Sequence, residues 1–247
     1  MNEQAAEATG RGTRIARFLA AAGVASRRAA EALIASGRVR LNGAIVPHPA
    51  TFVQPGDLVQ VDGRAVEQPG RTRLWRYHKP PGLLTTHSDP QGRPTVFSNL
   101  PPGLPRVISV GRLDLTSEGL LLLTNDGALA RRLELPSTGW RRRYRARVHG
   151  TVEETALAGL SRGVTISDVS YGPIEAAVDA RKGANTWLSI GLGEGRNREV
   201  RRVLAHLGLS VTRLIRVAYG PFQLGQLPRG AVQEVSAKVL REQLGKQ

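Results

Sequence analysis

VGRLDLTSEGLLLLTNDG, residues 110–127, is the densest run of patterned residues in the chain. Its apolar positions predict a strand over 107–113 that delivers Arg112 and Asp114 at its end. A polar turn follows. Leu120 to Thr124 then predicts a second, strongly apolar strand, closed by the turn signal Asn125-Asp126-Gly127. A carboxylate at a strand end beside apolar walls is held rigidly and partly dehydrated. That suits a nucleophile or an acid/base. Asp114 and Glu118 could equally satisfy turn amides, as Asp often does. Spacing alone leaves both readings standing.

Downstream, RRRYRARVH (141–149) reads as a strand. Tyr144, Ala146 and Val148 share one face; Arg143, Arg145 and Arg147 take the other. Arginines beside an exposed aromatic supply backbone tracking and base stacking; a core-facing Tyr with a solvated basic face fits the same pattern. GEGRNREVRRV (193–203) is a glycine-bracketed loop entering a helix. Arg198, Arg201 and Arg202 share a face beside the apolar stripe. Arg201 neighbours Val200 and is the one expected to point inward. A buried arginine beside an aspartate would keep that carboxylate ionised, whereas a solvated arginine face needs no partner.

Upstream of these stretches lies a smaller unit. Residues 1–12 read as a flexible leader. Ile15, Phe18, Leu19 and Ala22 recur at helical spacing, and Gly23 ends that helix. Ser26 can cap a second helix that Gly37 closes. Arg38 and Arg40 alternate with Val39 and Leu41, and Asn42-Gly43 marks a hairpin. Residues 13–66 therefore form two helices plus a small sheet. Arg27 and Arg28 occupy the first turn of the second helix, where the dipole disfavours cations. A phosphate at that terminus would use both.

Residues 67–73 read as a linker, 74–236 as one larger unit, and 237–247 as a C-terminal tail. Strands are expected over 74–78, 143–148, 164–166, 187–192 and 211–217. Helices are expected over 128–135, 153–160 and 199–207, with Thr151 and Glu154 at capping-box spacing. Many short strands and few helices give an α+β chain with a mixed sheet rather than a dinucleotide-binding fold.

The net charge is +15, from 35 Lys plus Arg against 20 Asp plus Glu, which points to a polyanionic partner. No cysteine is present, so disulfides and thiol catalysis are excluded. The five histidines lie far apart and lack zinc-enzyme spacing, so no metal is expected. Arg11 to Ala25 superficially resembles a signal peptide, but its periodicity fits an amphipathic helix. A cytoplasmic, membrane-free chain is expected, and a monomer.

Taken in order, these stretches resemble the bacterial ribosomal pseudouridine synthases of the RsuA/RluB family. Residues 12–65, with RIARFLAAAGVASRRAAEALIASGRVRLNG (14–43), are similar to the RNA-binding domain first seen in ribosomal protein S-four. HKPPGLLTT (78–86) resembles the first synthase motif and GRLDLTSEGLLLLTNDG (111–127) the catalytic one. RRYRARV (142–148), EGRNREVRRV (194–203) and the run from Leu214 through RVAYGPFQLGQLPRG resemble the rest. Within the family the likeness is to the type that modifies large-subunit ribosomal RNA. The resemblance implies an S-four-type domain followed by a catalytic domain with a mixed, mostly antiparallel sheet. It implies Asp114 as nucleophile, Tyr144 stacked on the target base, and Arg201 paired with Asp114. It implies that Arg112 helps displace the flipped nucleotide or holds its backbone, and that Leu214 packs near the base. Arg27, Arg28, Arg38, Arg40, Arg143 and Arg198 would contact RNA. No cofactor is implied, since an isomerisation changes neither redox state nor composition. The competing class is a non-catalytic RNA-binding protein, for which a carboxylate facing RNA has no purpose.

Overall fold

The computed structural model describes residues 12–245, so most of the expected leader lies outside the described residues. The chain divides into two compact units. In the smaller, β1 (Thr13–Arg14) pairs with β4 (Phe52–Val53) and leads into α1 (Ile15–Ala21). The helix α2 (Arg27–Ala35) follows; Ser26 caps it, its hydroxyl accepting from the Ala29 amide at 3.1 Å. A four-stranded sheet then runs in the order β3 (Ala44–Ile45), β2 (Val39–Leu41), β5 (Val59–Val61), β6 (Arg64–Ala65). Asn42 and Gly43, at φ 51° and 85°, make the expected tight hairpin. Ile15, Phe18, Leu19, Ala30, Ile34 and Val39 are buried together in its core.

The larger unit is built on a mixed sheet. Its main path runs β13 (Ile174–Lys182), β14 (Asn185–Leu192), β10 (Arg142–His149), β15 (Ser210–Tyr219), β9 (Glu118–Thr124), β7 (Leu74–Lys79), β17 (Val232–Glu234). A short β8 (Ile108–Val110) also pairs with β9. Every pairing is antiparallel except β15 with β9, which meet in parallel at Ile215↔Glu118 and Arg216↔Gly119. All seven residues of β9 are buried, which explains its unbroken apolar run: a strand covered on both faces has no reason to alternate.

Two apolar clusters flank the sheet. One joins Ala146, Val148, Leu188, Ile190 and Leu214 to α5 (Glu199–His206) through Val200, Val203 and Leu204. The other joins Leu74, Leu120 and Leu122 to α3 (Gly127–Glu134) and to α6 (Ala237–Leu244). The expected C-terminal tail is therefore a helix: Ser236 caps it, Leu240 and Leu244 are buried, and Arg132 donates to the Leu244 carbonyl. The strand expected over 107–113 stops at Val110, because Gly111 turns left-handed at φ 66° and the Leu113 amide donates to Thr85 Oγ1 instead of a ladder. The capping box at Thr151 does not form. Helix α4 (Glu154–Gly159) starts after Glu153, with no side-chain cap. Among the described residues, no helix is long and apolar enough to cross a membrane.

Candidate active site

Asp114 sits four residues beyond β8, in the loop that turns into β9 rather than at a strand end. Lys79, fully buried at the end of β7, organises that loop. Its Nζ donates to the carbonyls of Pro80 (3.1 Å), Asp114 (3.1 Å), Leu115 (3.4 Å) and Ser117 (2.9 Å). Burial lowers the Lys79 pKa to about 8, against the upward pull of Asp114 and Glu118. A second tie runs from the Gly111 amide to Glu134 Oε1 at 2.6 Å, and a third from Thr85 Oγ1 to the Leu113 carbonyl at 2.8 Å. The loop that carries Asp114 is thus held from β7, α3 and the segment after β7.

The loop borders a cavity of about 740 Å³, whose lining includes Asp114, Arg112, Tyr144, Arg198, Leu214 and Arg216. Tyr144 comes from β10, with Arg142, Ala146 and Val148 on the same, inner face. Leu214 and Arg216 come from the inner face of β15. Arg143 and Arg145 point to the outer face and do not reach the cavity; Arg145 instead pairs with Asp179 at 3.3 Å.

Three carboxylates line the cavity, and two are occupied. Glu134 accepts from the Gly111 amide, and Glu199 Oε2 accepts from the Arg196 amide at 2.8 Å. Burial raises the Glu199 pKa. Asp114 differs. Its side chain is 26% exposed and accepts no hydrogen bond from the described residues. Its nearest cation is Arg198 Nη1, 3.8 Å from Oδ2. Glu118, a second acidic residue of the motif, is not among the residues lining the cavity and is spent on Arg213 and on Arg229, 2.8 Å away. Burial pushes its pKa up, but those two arginines outweigh burial and leave it below the ordinary carboxylate range.

The arginine arrangement differs from the expectation. Arg201 does not pair with Asp114: its Nη1 donates to the Val211 carbonyl at 3.0 Å and its Nη2 to the Thr116 carbonyl at 3.4 Å. The helix start explains this. Arg198 caps α5 in a left-handed conformation (φ 53°) and projects to the cavity; Arg201, three residues later, lies beside buried Val200 and reaches backbone. Burial lowers the Arg201 pKa, Arg198 lowers it further, and Asp114 raises it, so Arg201 still feels the aspartate's charge.

In the smaller unit, Arg27 and Arg28 are exposed on the first turn of α2. Arg38 forms an ion pair with Asp62, Nε to Oδ1 at 2.8 Å, and Arg40 donates to the Gly43 carbonyl at 2.8 Å. Sequence reasoning missed Lys79, Arg142 and Arg216. The strand parity that selects Tyr144 and Leu214 also selects Arg142 and Arg216, two residues away on the same faces. Arg142 is buried, donating to the carbonyls of Gly193 (2.5 Å) and Trp140 (3.2 Å) and to Tyr219 Oη (3.0 Å).

Residues 73–206 match the RNA pseudouridylate synthase family, and residues 13–59 match the S4 domain. The chain is 44% identical over 231 residues to a Rickettsia prowazekii protein named as an uncharacterized RNA pseudouridine synthase, covering 94% of this chain and 97% of that one. It is 42% identical to the ribosomal large subunit pseudouridine synthase B of Haemophilus influenzae, over 95% of this chain and 68% of the relative. The Salmonella typhi protein of the same name is 43% identical, over 90% and 79%. A solved pseudouridylate synthase shares the fold, with a TM-score of 0.64 at 24% identity over 94% of this chain and 99% of that one. With an aspartate and a tyrosine on one cavity and these matches in place, the chain belongs to the RNA pseudouridine synthase family. It is an RNA-binding isomerase of the kind represented by the large subunit synthase B proteins.

Proposed function

We propose that this enzyme converts one uridine of large-subunit ribosomal RNA to pseudouridine, with Asp114 as the covalent nucleophile. The observation that carries the reading is the state of Asp114: a partly exposed carboxylate, free of hydrogen bonds from the described residues, on the same cavity as Tyr144 and Leu214. A carboxylate whose lone pairs are not taken up by donors keeps them available for attack. The large subunit enters through the synthase B relatives, which are named for it.

The target nucleotide leaves its stack for the cavity, at a cost of a few kcal/mol that is smaller in loops and bulges. Stacking on Tyr144 offsets that cost by about 1–3 kcal/mol, and Leu214 packs against the base. Asp114 attacks either carbon six of the ring or the ribose anomeric carbon. The glycosidic bond breaks, the uracil turns, carbon five bonds to the ribose, and the bond to Asp114 breaks, its electron pair returning to the carboxylate. Tyr144 takes the proton from carbon five. Arg112 and Arg198 hold the flipped strand at the cavity mouth. Arg201 acts on Asp114 through its field and through the Thr116 carbonyl. Residues 13–66, with Arg27, Arg28, Arg38 and Arg40, grip RNA, and Arg143 adds a contact on the outer face of the sheet. The enzyme works as a monomer in the cytoplasm, without a cofactor.

Mapping pseudouridines in ribosomal RNA from cells carrying Asp114→Asn tests this reading. One large-subunit position reverts to uridine. Full modification of every site, or loss confined to the small subunit, contradicts it.

A further inference from the structure

Arg216 is the unexplained charge of the cavity. It is 3% exposed and lines the space that holds Asp114 and Tyr144. Its Nε donates to the Leu120 carbonyl at 2.7 Å, and its guanidinium lies over the Tyr219 ring at 5.1 Å. Nη2 is buried with no hydrogen-bond partner, and no carboxylate of the described residues lies within 4 Å of the group. A buried, unpaired guanidinium costs stability. The neighbouring buried arginine, Arg142, spends its donors on two carbonyls and a phenol. Arg216 keeps its charge and its terminal donors unspent.

Its position is tied to the base. In the β10–β15 register Tyr144 stands opposite Arg216, and Leu214 precedes it by two residues on the same strand face. A uracil stacked on Tyr144 and abutting Leu214 therefore presents an edge to the guanidinium. Accepting Asp114 as the nucleophile, both routes place negative charge on that edge. Attack at carbon six forms the carboxylate–carbon bond and pushes the ring double bond's electrons onto a carbonyl oxygen as an enolate. Attack at the anomeric carbon breaks the glycosidic bond and leaves its electron pair on the departing uracil, spread over N1 and both oxygens. In each case that charge is consumed by the end of the reaction: carbon five bonds to the ribose, the bond to Asp114 breaks with its electron pair returning to the carboxylate, and carbon five loses a proton while N1 gains one. We infer that Arg216 is a catalytic residue that stabilises the anionic uracil during the isomerisation. The role rests on the Asp114 reading for its timing but not on the choice of route.

Single-turnover rates at saturating enzyme, measured for Arg216→Gln and Arg216→Lys beside Asp114→Asn, test this. Removing a preorganised donor to a developing oxyanion costs on the order of 10²–10³ in rate. Arg216→Gln is expected to show that loss with an RNA Kd close to that of wild type, as for a group that acts only in the transition state. Its deficit in the rearrangement step, read as loss of the N-glycoside, shrinks with 5-fluorouridine at the target, whose ring carries negative charge more readily and whose fluorine blocks only the later proton loss from carbon five. Arg216→Lys keeps a cation and loses less. An unchanged rate overturns the inference. So does a weaker Kd with an unchanged saturated rate, the signature of a phosphate clamp. An equal deficit with both bases also overturns it, marking a structural role. Should Arg216→Gln fail to melt cooperatively, Arg216→Lys decides by the same three readings. Wild-type turnover by Asp114→Asn would instead sink the nucleophile reading, leaving the Arg216 rates to stand separately.

Discussion

Lys79 shows how much one residue can do without touching substrate. One ammonium gathers four carbonyls and so fixes the loop that carries Asp114. Its folded pKa lies near 8, below the 10.5 of an ordinary lysine, because burial disfavours the charge. Between those values the unfolded chain holds more protons than the folded one, so this group's contribution to stability rises with pH. Activity moves the other way. As the ammonium neutralises, the loop loses its charged donor. Turnover is expected to fall above pH 8 while the urea midpoint over the same range does not. Lys79→Arg, which stays charged, should move the alkaline limb upward. A flat rate profile, or an unshifted limb in the arginine variant, would contradict this. The motif around Lys79 was visible in the sequence, but its use was not, since a lysine beside Pro-Pro-Gly reads as a surface residue until the turn is folded over it. Arg198 and Arg201 were harder still. They differ by less than one helical turn, and the left-handed cap at Arg198 decides which of them meets Asp114.

At the scale of elements, the parallel contact of β9 with β15 places Asp114's loop beside Leu214 and Arg216. Gly119 makes that contact possible. Its φ is 105°, and a Cβ there would stand 2.3 Å from the Arg216 carbonyl oxygen and 2.8 Å from its amide nitrogen. Overpacking against backbone and a left-handed conformation add, so Gly119→Ala is expected to destabilise by about 3 kcal/mol and to lower activity in the surviving fold. Chemical denaturation measures it, and a change under about 0.5 kcal/mol, the range of an innocuous surface substitution, would contradict the packing argument. The elements themselves were unevenly readable. β9, β10 and α5 follow from apolar runs and periodicity. β13 was missed because, as an edge strand with most residues exposed, it carries little apolar signal. α6 was passed over as a tail although Ser236, Leu240 and Leu244 mark its cap and buried face; eight residues leave a periodicity that only tertiary contact makes decisive. β8 ended early because a glycine and a threonine hydroxyl overrode the apolar pattern.

At the scale of the molecule, a net charge of +15 and an S4 domain make binding strongly electrostatic. The order of the two units and their classes could be read from the motifs. The distribution of spent and unspent charge could not, because Arg38, Arg142 and Glu118 look free in a sequence and are engaged in the fold. The logarithm of RNA affinity should fall linearly with the logarithm of salt concentration. Replacing Arg27 and Arg28 together by alanine should flatten that slope by about 1–2, from roughly 0.7–0.9 per lost phosphate contact. An unchanged slope would remove α2 from the RNA interface. The central claim is the role of Asp114, and the most direct test is release of tritium from carbon five of uridine in undermodified large-subunit RNA. Wild-type enzyme releases label stoichiometrically with the target site, and Asp114→Asn binds the same RNA with similar affinity and releases none. Release by Asp114→Asn at the wild-type rate would contradict the account.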